Sequence, residues 1–67
     1  MISLMDLDRV LRASKEDVKD FKELKSYVIS LKKGGSIIVS DSGKVQAQGS
    51  PERVKEINAL LELVKKD

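Results

Sequence analysis

Serines beside lysines are the first residues of this chain that could do chemistry. Ser36, Ser40 and Ser42 lie within a few positions of Lys33 and Lys44, and a hydroxyl next to an unprotonated amine is an activated nucleophile. Such a pair works only where the lysine is buried deeply enough to lose its proton, and 67 residues offer little depth for a pocket. These serines are therefore expected at turns and caps. Two acidic pairs, Asp6 with Asp8 and Glu16 with Asp20, could hold a hard cation, but they lack the run of oxygen ligands that a calcium loop requires. They read as helix-start and solvated-face residues. The chain contains no His and no Cys, which removes the usual general acid–base at neutral pH, thiol catalysis, disulfides and ordinary zinc or copper sites. Gly34-Gly35 reads as a helix stop, since no phosphate-binding fingerprint surrounds it. No catalytic residue, cofactor or metal is expected, and the chain is not read as an enzyme.

The charges suggest a solvated surface. Thirteen basic and eleven acidic residues leave a net charge of +2, and the pI near 9.0 reflects that small excess of lysine. Lys15, Lys19 and Lys22 form a basic stripe beside the acidic Glu16, Asp20 and Glu23, an interleaving typical of a face in water. Lys32, Lys33 and Lys44 are expected to gather at one end of the sheet, where they could touch phosphates. The apolar start of the chain is broken by Asp6 and Asp8, so it reads as neither a signal peptide nor a membrane span. A cytoplasmic protein with no membrane contact is expected.

The elements that must position these residues follow from periodicity. Leu4, Leu7, Val10 and Leu11 recur at helical spacing, with Ser3 and Asp6 approximating a capping box, and predict a short helix over 4–13. Ser14 reads as the cap of a second helix over 15–33, whose apolar face is Val18, Phe21, Leu24, Val28 and Leu31. Tyr27 borders that face and Ile29 lies off it. Lys32 and Lys33 would occupy its last turn and Gly34 would end it; the two helices could also be continuous. A hairpin over 36–48 follows, with β-prone Ile37-Ile38-Val39 as its first strand. A loop of Ser42-Gly43 would set Ile37 and Val39 on the face opposite Val45 and Ala47. A loop of Asp41-Ser42-Gly43 would set all four on one face, with a left-handed Gly43, and this register is favoured because it separates apolar from polar residues. The last helix is predicted over 51–66, with Ser50 as cap, Pro51 in its first position and Val54, Ile57, Leu60, Leu61 and Val64 on its apolar face. Lys65 and Lys66 would close it.

The expected fold class is α+β, in the order α-α-β-β-α, as a single small domain over 1–67. A lone hairpin is marginally stable and exposes two edges. A second copy joined edge to edge would complete a four-stranded sheet and cover Ile29 and Ile38. A monomer with the hairpin as an appendage is the alternative.

The second half of the chain resembles the closing unit of KH-type nucleic-acid-binding domains. Asp41-Ser42-Gly43-Lys44-Val45, then Gly49-Ser50-Pro51-Glu52-Arg53-Val54 and Ile57, follow that family's strand–turn–strand–Gly–helix pattern. The repeats of TATA-binding proteins end in a similar unit. The similarity covers about residues 36–66. It lacks the Gly-x-x-Gly loop through which KH domains hold nucleic acid, and the N-terminal strand of that fold is replaced by helix. What the resemblance implies is a nucleic-acid contact through Lys44, Gln46 and Gln48; the expected lysine cluster would add Lys32 and Lys33.

Two functions are carried forward. The first is a small non-enzymatic interaction module, a regulator or adaptor that dimerises through its hairpin and binds an unidentified protein. Ile29, Ile38 and Leu63 would be its interface, with Ile2, Leu4 and Met5 as a further contact surface. The second is a nucleic-acid-binding module with a KH-like C-terminal half.

Overall fold

The computed structural model describes residues 4–65, and the side chains of residues 4–64. The expected roles of Ile2, Ser3 and Lys66, and of the Lys65 side chain, lie outside these. The element order is α1 (Leu4–Ala13), β1 (Val18–Glu23), β2 (Ser26–Leu31), β3 (Ser36–Ser40), β4 (Val45–Gln48) and α2 (Pro51–Lys65). The strands form one antiparallel sheet in the order β1-β2-β3-β4. The class is α+β, but the order α-α-β-β-α is overturned. Residues 15–33, expected as a helix, fold as the β1–β2 hairpin, so the four-stranded sheet is complete within one chain and needs no second copy.

The helical spacing that misleads has a local cause. Val18 pairs with Leu31 and Asp20 with Ser30, so Lys19 is an extra residue in a β-bulge. The bulge resets the alternation and brings Val18 and Phe21, three positions apart, to the same face of the sheet. In β2 the face alternates without interruption: Tyr27, Ile29 and Leu31 point to the core side, and Val28 to the other. Residues directly opposite share a face. One face therefore carries the rows Phe21–Ile29–Ile37–Ala47 and Glu23–Tyr27–Val39–Val45.

Both helices cover that face. Leu7 and Leu11 of α1, and Ile57, Leu61 and Val64 of α2, close over Ile29, Leu31, Ile37 and Val39 to form one core. Ile29, expected at an interface, is buried here within its own chain. The β3–β4 register is the one that sorts apolar from polar: Ile37 pairs with Ala47 and Val39 with Val45, with the Ser40 N–H donating to the Lys44 carbonyl at 2.8 Å and Gly43 at φ 90°. Ser50 caps α2, its Oγ accepting from the Arg53 N–H at 3.3 Å.

Ser14 does not start a helix; it lies in the turn that ends α1. The Glu16 N–H donates to the Leu11 carbonyl at 2.9 Å and the Lys15 N–H to the Arg12 carbonyl at 3.1 Å, with Lys15 at φ 58°. This is a Schellman cap with lysine in the left-handed position that glycine usually occupies. A side chain there is strained by roughly 1 kcal/mol. Lys15→Gly should therefore raise the urea midpoint, with a gain of about 0.5–1 kcal/mol; a loss of stability would show that the Lys15 side chain has a favourable role.

Candidate functional site

Three surfaces carry the residues that sequence reasoning singled out. The first is the sheet face away from the helices. It presents the rows Lys22–Val28–Ile38–Gln46 and Asp20–Ser30–Ser36–Gln48, with Ser26 beside Ser40 at the end near Lys44. Ile38, Ser40, Ser42, Lys44 and Gln46 line a shallow concavity there. Lys44, Gln46 and Gln48 thus belong to one surface. Lys32 and Lys33 do not join them. They sit in the β2–β3 turn, at the opposite end of the strands from the β3–β4 turn that carries Lys44. The expected cluster of the three lysines is therefore not formed.

The serine hydroxyls of that turn are engaged in its geometry. Ser40 Oγ accepts from the Lys44 N–H at 3.2 Å and lies 3.0 Å from Ser42 Oγ, locking the loop. Asp6 and Asp8 pair with Arg9 at 3.9 Å and Arg12 at 3.0 Å along α1. Among the described residues no group of three or more acidic side chains converges on a point where a metal ion could sit.

The second surface is a corner where three chain segments meet, and Glu16 is its centre. Expected on a solvated face, Glu16 is only 7% exposed. Arg53, from the first turn of α2, donates to both its carboxylate oxygens, Nη2 to Oε1 at 2.9 Å and Nη1 to Oε2 at 3.1 Å. Arg53 Nε donates to the Gly34 carbonyl at 3.0 Å, and Glu56 lies 3.6 Å from Nη1. The hydrogen bonds from Arg53 hold the Glu16 carboxyl below its ordinary value of 4.5 against the opposing effect of burial, and the charges of Arg53 and Lys33 act in the same direction as the hydrogen bonds. This corner joins the α1–β1 connection, the β2–β3 turn and α2. With every buried side-chain polar atom of the described residues satisfied, it is a structural anchor. Sequence reasoning missed it because a bidentate Arg–carboxylate pair across so long a separation leaves no local pattern; a glycine pair followed by a lone arginine beside the cap of α2 was the available signal.

The third surface was not anticipated as a unit. The helices lie over β2, β3 and β4 and leave β1 bare: every residue of Val18–Glu23 is exposed. Val18 is 41% exposed, Phe21 48% and Leu24 80%, and Met5 on α1 is 77% exposed. Leu4, Leu7, Leu11, Val18, Phe21 and Ile29, together with Asp8, line a mostly apolar cleft of about 100 Å³ between α1 and β1. Phe21 stacks on Tyr27 with ring centroids 5.6 Å apart, which holds the ring against the sheet with one side open. Leu63, by contrast, is exposed alone on α2, and Ile38 is half-buried on the open sheet face. Ile29, Ile38 and Leu63 therefore lie on three different sides and do not compose one interface.

Among the described residues no helix is long and apolar enough to cross a membrane. Comparison of the chain with protein-family models, with curated proteins and with solved structures found no match to any of them.

Proposed function

We propose that this protein is a small non-enzymatic interaction module, a regulator or adaptor, whose contact surface is the bare β1 strand and the cleft beside α1. The observation that carries this reading is that the edge strand β1 bears exposed Val18 and Phe21 beside the cleft against α1, with exposed Leu24 just past its end. Apolar residues exposed singly are ordinary; apolar side chains beside a cleft at an edge with unpaired backbone groups favour an interface. Nothing comparable occurs on the open sheet face, where serine and glutamine dominate.

A second reading keeps a specific support. Lys44, Gln46, Ser40 and Ile38 share one concavity on the open face, as a nucleic-acid contact through the KH-like half would need. Asp20 and Asp41, close to the same surface, oppose it.

One experiment separates the two. A photo-crosslinking amino acid is placed in turn at positions 21, 46 and 63, and the adducts formed in cells expressing the chain are resolved. The interaction module should give discrete protein adducts from position 21 and none from 46 or 63. Nucleic-acid adducts from position 46, lost as salt is raised, would support the second reading instead. Equal labelling from all three positions would remove the β1 surface as a site.

A further inference from the structure

We propose that the occupant of the β1 edge is a second copy of this chain, paired antiparallel with β1 about a two-fold axis through Phe21. The inference rests on the reading of β1 as the contact surface and adds the partner. It uses a different strand from the 36–48 hairpin, whose edges are already taken or short.

The order of signs along residues 17–25, Asp-Val-Lys-Asp-Phe-Lys-Glu-Leu-Lys, favours this pairing. Read about Phe21 it is a palindrome in polarity with the charges inverted. Antiparallel pairing centred on Phe21 sets Asp20 opposite Lys22, twice by symmetry, and Phe21 opposite Phe21, while the bulge at Lys19 and the bend at Leu24 and Lys25 bound the regular part of the strand. Within that part each charge meets its opposite and the apolar residue meets its own copy. The neighbouring symmetric registers fail. An axis through Asp20 sets aspartate against aspartate, and an axis through Lys22 sets lysine against lysine. Opposed cross-strand charges stabilise an antiparallel pair and like charges destabilise it, so the sequence selects one register.

The structure supplies the remaining conditions. β1 is an edge strand, paired on one side only. Among the described residues, Asp17, Lys19, Asp20, Lys22, Glu23 and Lys25 form no side-chain ion pair within their own chain, so they are available to a partner. Phe21 and Val18 lie on the face that carries the helices. A two-fold axis normal to the sheet keeps that face common to both copies. The two Phe21 rings then meet over a continuous sheet, and the apolar strip between the two α1 helices is covered. Charged residues and a bulge can also serve to block edge pairing, but blocking requires charge alone and not a mirrored order of opposite signs.

Sedimentation velocity over a wide concentration range tests this. The wild-type chain should pass from monomer to dimer. Asp20→Lys alone sets lysine against lysine at two places, and Lys22→Asp alone sets aspartate against aspartate. Each should weaken self-association by roughly tenfold or more. Mixed together, the two variants restore both pairs and should form a heterodimer at near wild-type affinity. Both side chains are exposed, so circular dichroism and the unfolding midpoint should stay unchanged in each variant. A dimer indifferent to these charges, or variants that fail to recover on mixing, would overturn the β1 pairing. A chain that stays monomeric to millimolar concentration would also overturn it, while protein adducts from position 21 would still leave the interaction-module reading standing with another partner.

Discussion

Arg53→Met should lower the free energy of unfolding by about 3 kcal/mol or more, because it strands the Glu16 carboxylate in a buried site without its partner. The whole chain has only roughly 3–10 kcal/mol of stability to lose at the usual per-residue scale, so a substantial unfolded population at room temperature is the expected outcome. Two hydrogen bonds to the carboxylate and one to the Gly34 carbonyl disappear together. Arg53→Lys should recover little, since an ammonium is a point charge and cannot span both carboxylate oxygens and the carbonyl. The double variant Glu16→Leu with Arg53→Met should recover much of the loss, since it removes the stranded charge along with the pair. Urea unfolding followed by far-ultraviolet circular dichroism measures all three, and a loss below about 1 kcal/mol for Arg53→Met would place the pair in the class of screened surface bridges.

The same pair gives stability a pH dependence with a defined sign. The Glu16 carboxyl titrates below its ordinary 4.5 in the folded chain. The unfolded chain therefore binds its proton first as pH falls, and folding becomes less favourable. The contribution is fully present above about pH 5 and is lost as pH drops through the ordinary value toward the lowered folded one. Subtracting the profile of the double apolar variant isolates this contribution from those of the other carboxylates. A difference that stays flat from pH 6 to pH 3 would show that Glu16 is not held ionised by Arg53.

Gly35→Ala should cost at least about 2–3 kcal/mol, from a strained backbone and from over-packing together. A Cβ at Gly35 would stand 2.8 Å from Ile57 Cδ1 and 2.9 Å from the Gln48 carbonyl oxygen, at φ +80°. Ile57 is fully buried, and the Gln48 carbonyl belongs to the neighbouring strand end, so neither can withdraw freely. Gly49 is held by the same contact, since its own Cβ would approach Gly35 Cα to 2.9 Å. Gly34 is the control: it too has positive φ but meets nothing within 4 Å. Gly34→Ala should therefore show the backbone cost alone, about 1–2 kcal/mol. Thermal midpoints of the two variants decide the matter; equal losses would mean that the close approach at Gly35 relaxes without cost.

Much of the local grammar was legible in the sequence. The end of α1, the capped start of α2 and the register of the β3–β4 hairpin depend on residues a few positions apart, such as Ser50 with Arg53 or Ser40 with Gly43 and Lys44. Interactions of that range are written in order along the chain. The candidate site was legible only in fragments. Lys44, Gln46 and Gln48 do share a face, but Lys32 and Lys33 were expected beside Lys44 although β3, running from Ser36 to Ser40, already separates residues 32–35 from the turn that carries it. Glu16 and Asp20 were read alike as solvated acids, although one is buried against Arg53 and the other exposed on the open sheet face.

Residues 15–33 mark the boundary between the two kinds of information. Their apolar spacing fits a helix as well as a bulged hairpin, because the extra Lys19 imitates a helical interval between Val18 and Phe21. Periodicity alone has no means of separating the two. What decides is β3, which offers an edge to β2 and lets Ile29 join Ile37 in the core instead of lying exposed on a helix. The charge order of residues 17–25, the caps and the turns belong to the sequence by itself. The pairing of β2 with β3, the burial of Glu16 and the bareness of β1 belong to the tertiary structure, because each depends on segments that meet only once the chain has closed.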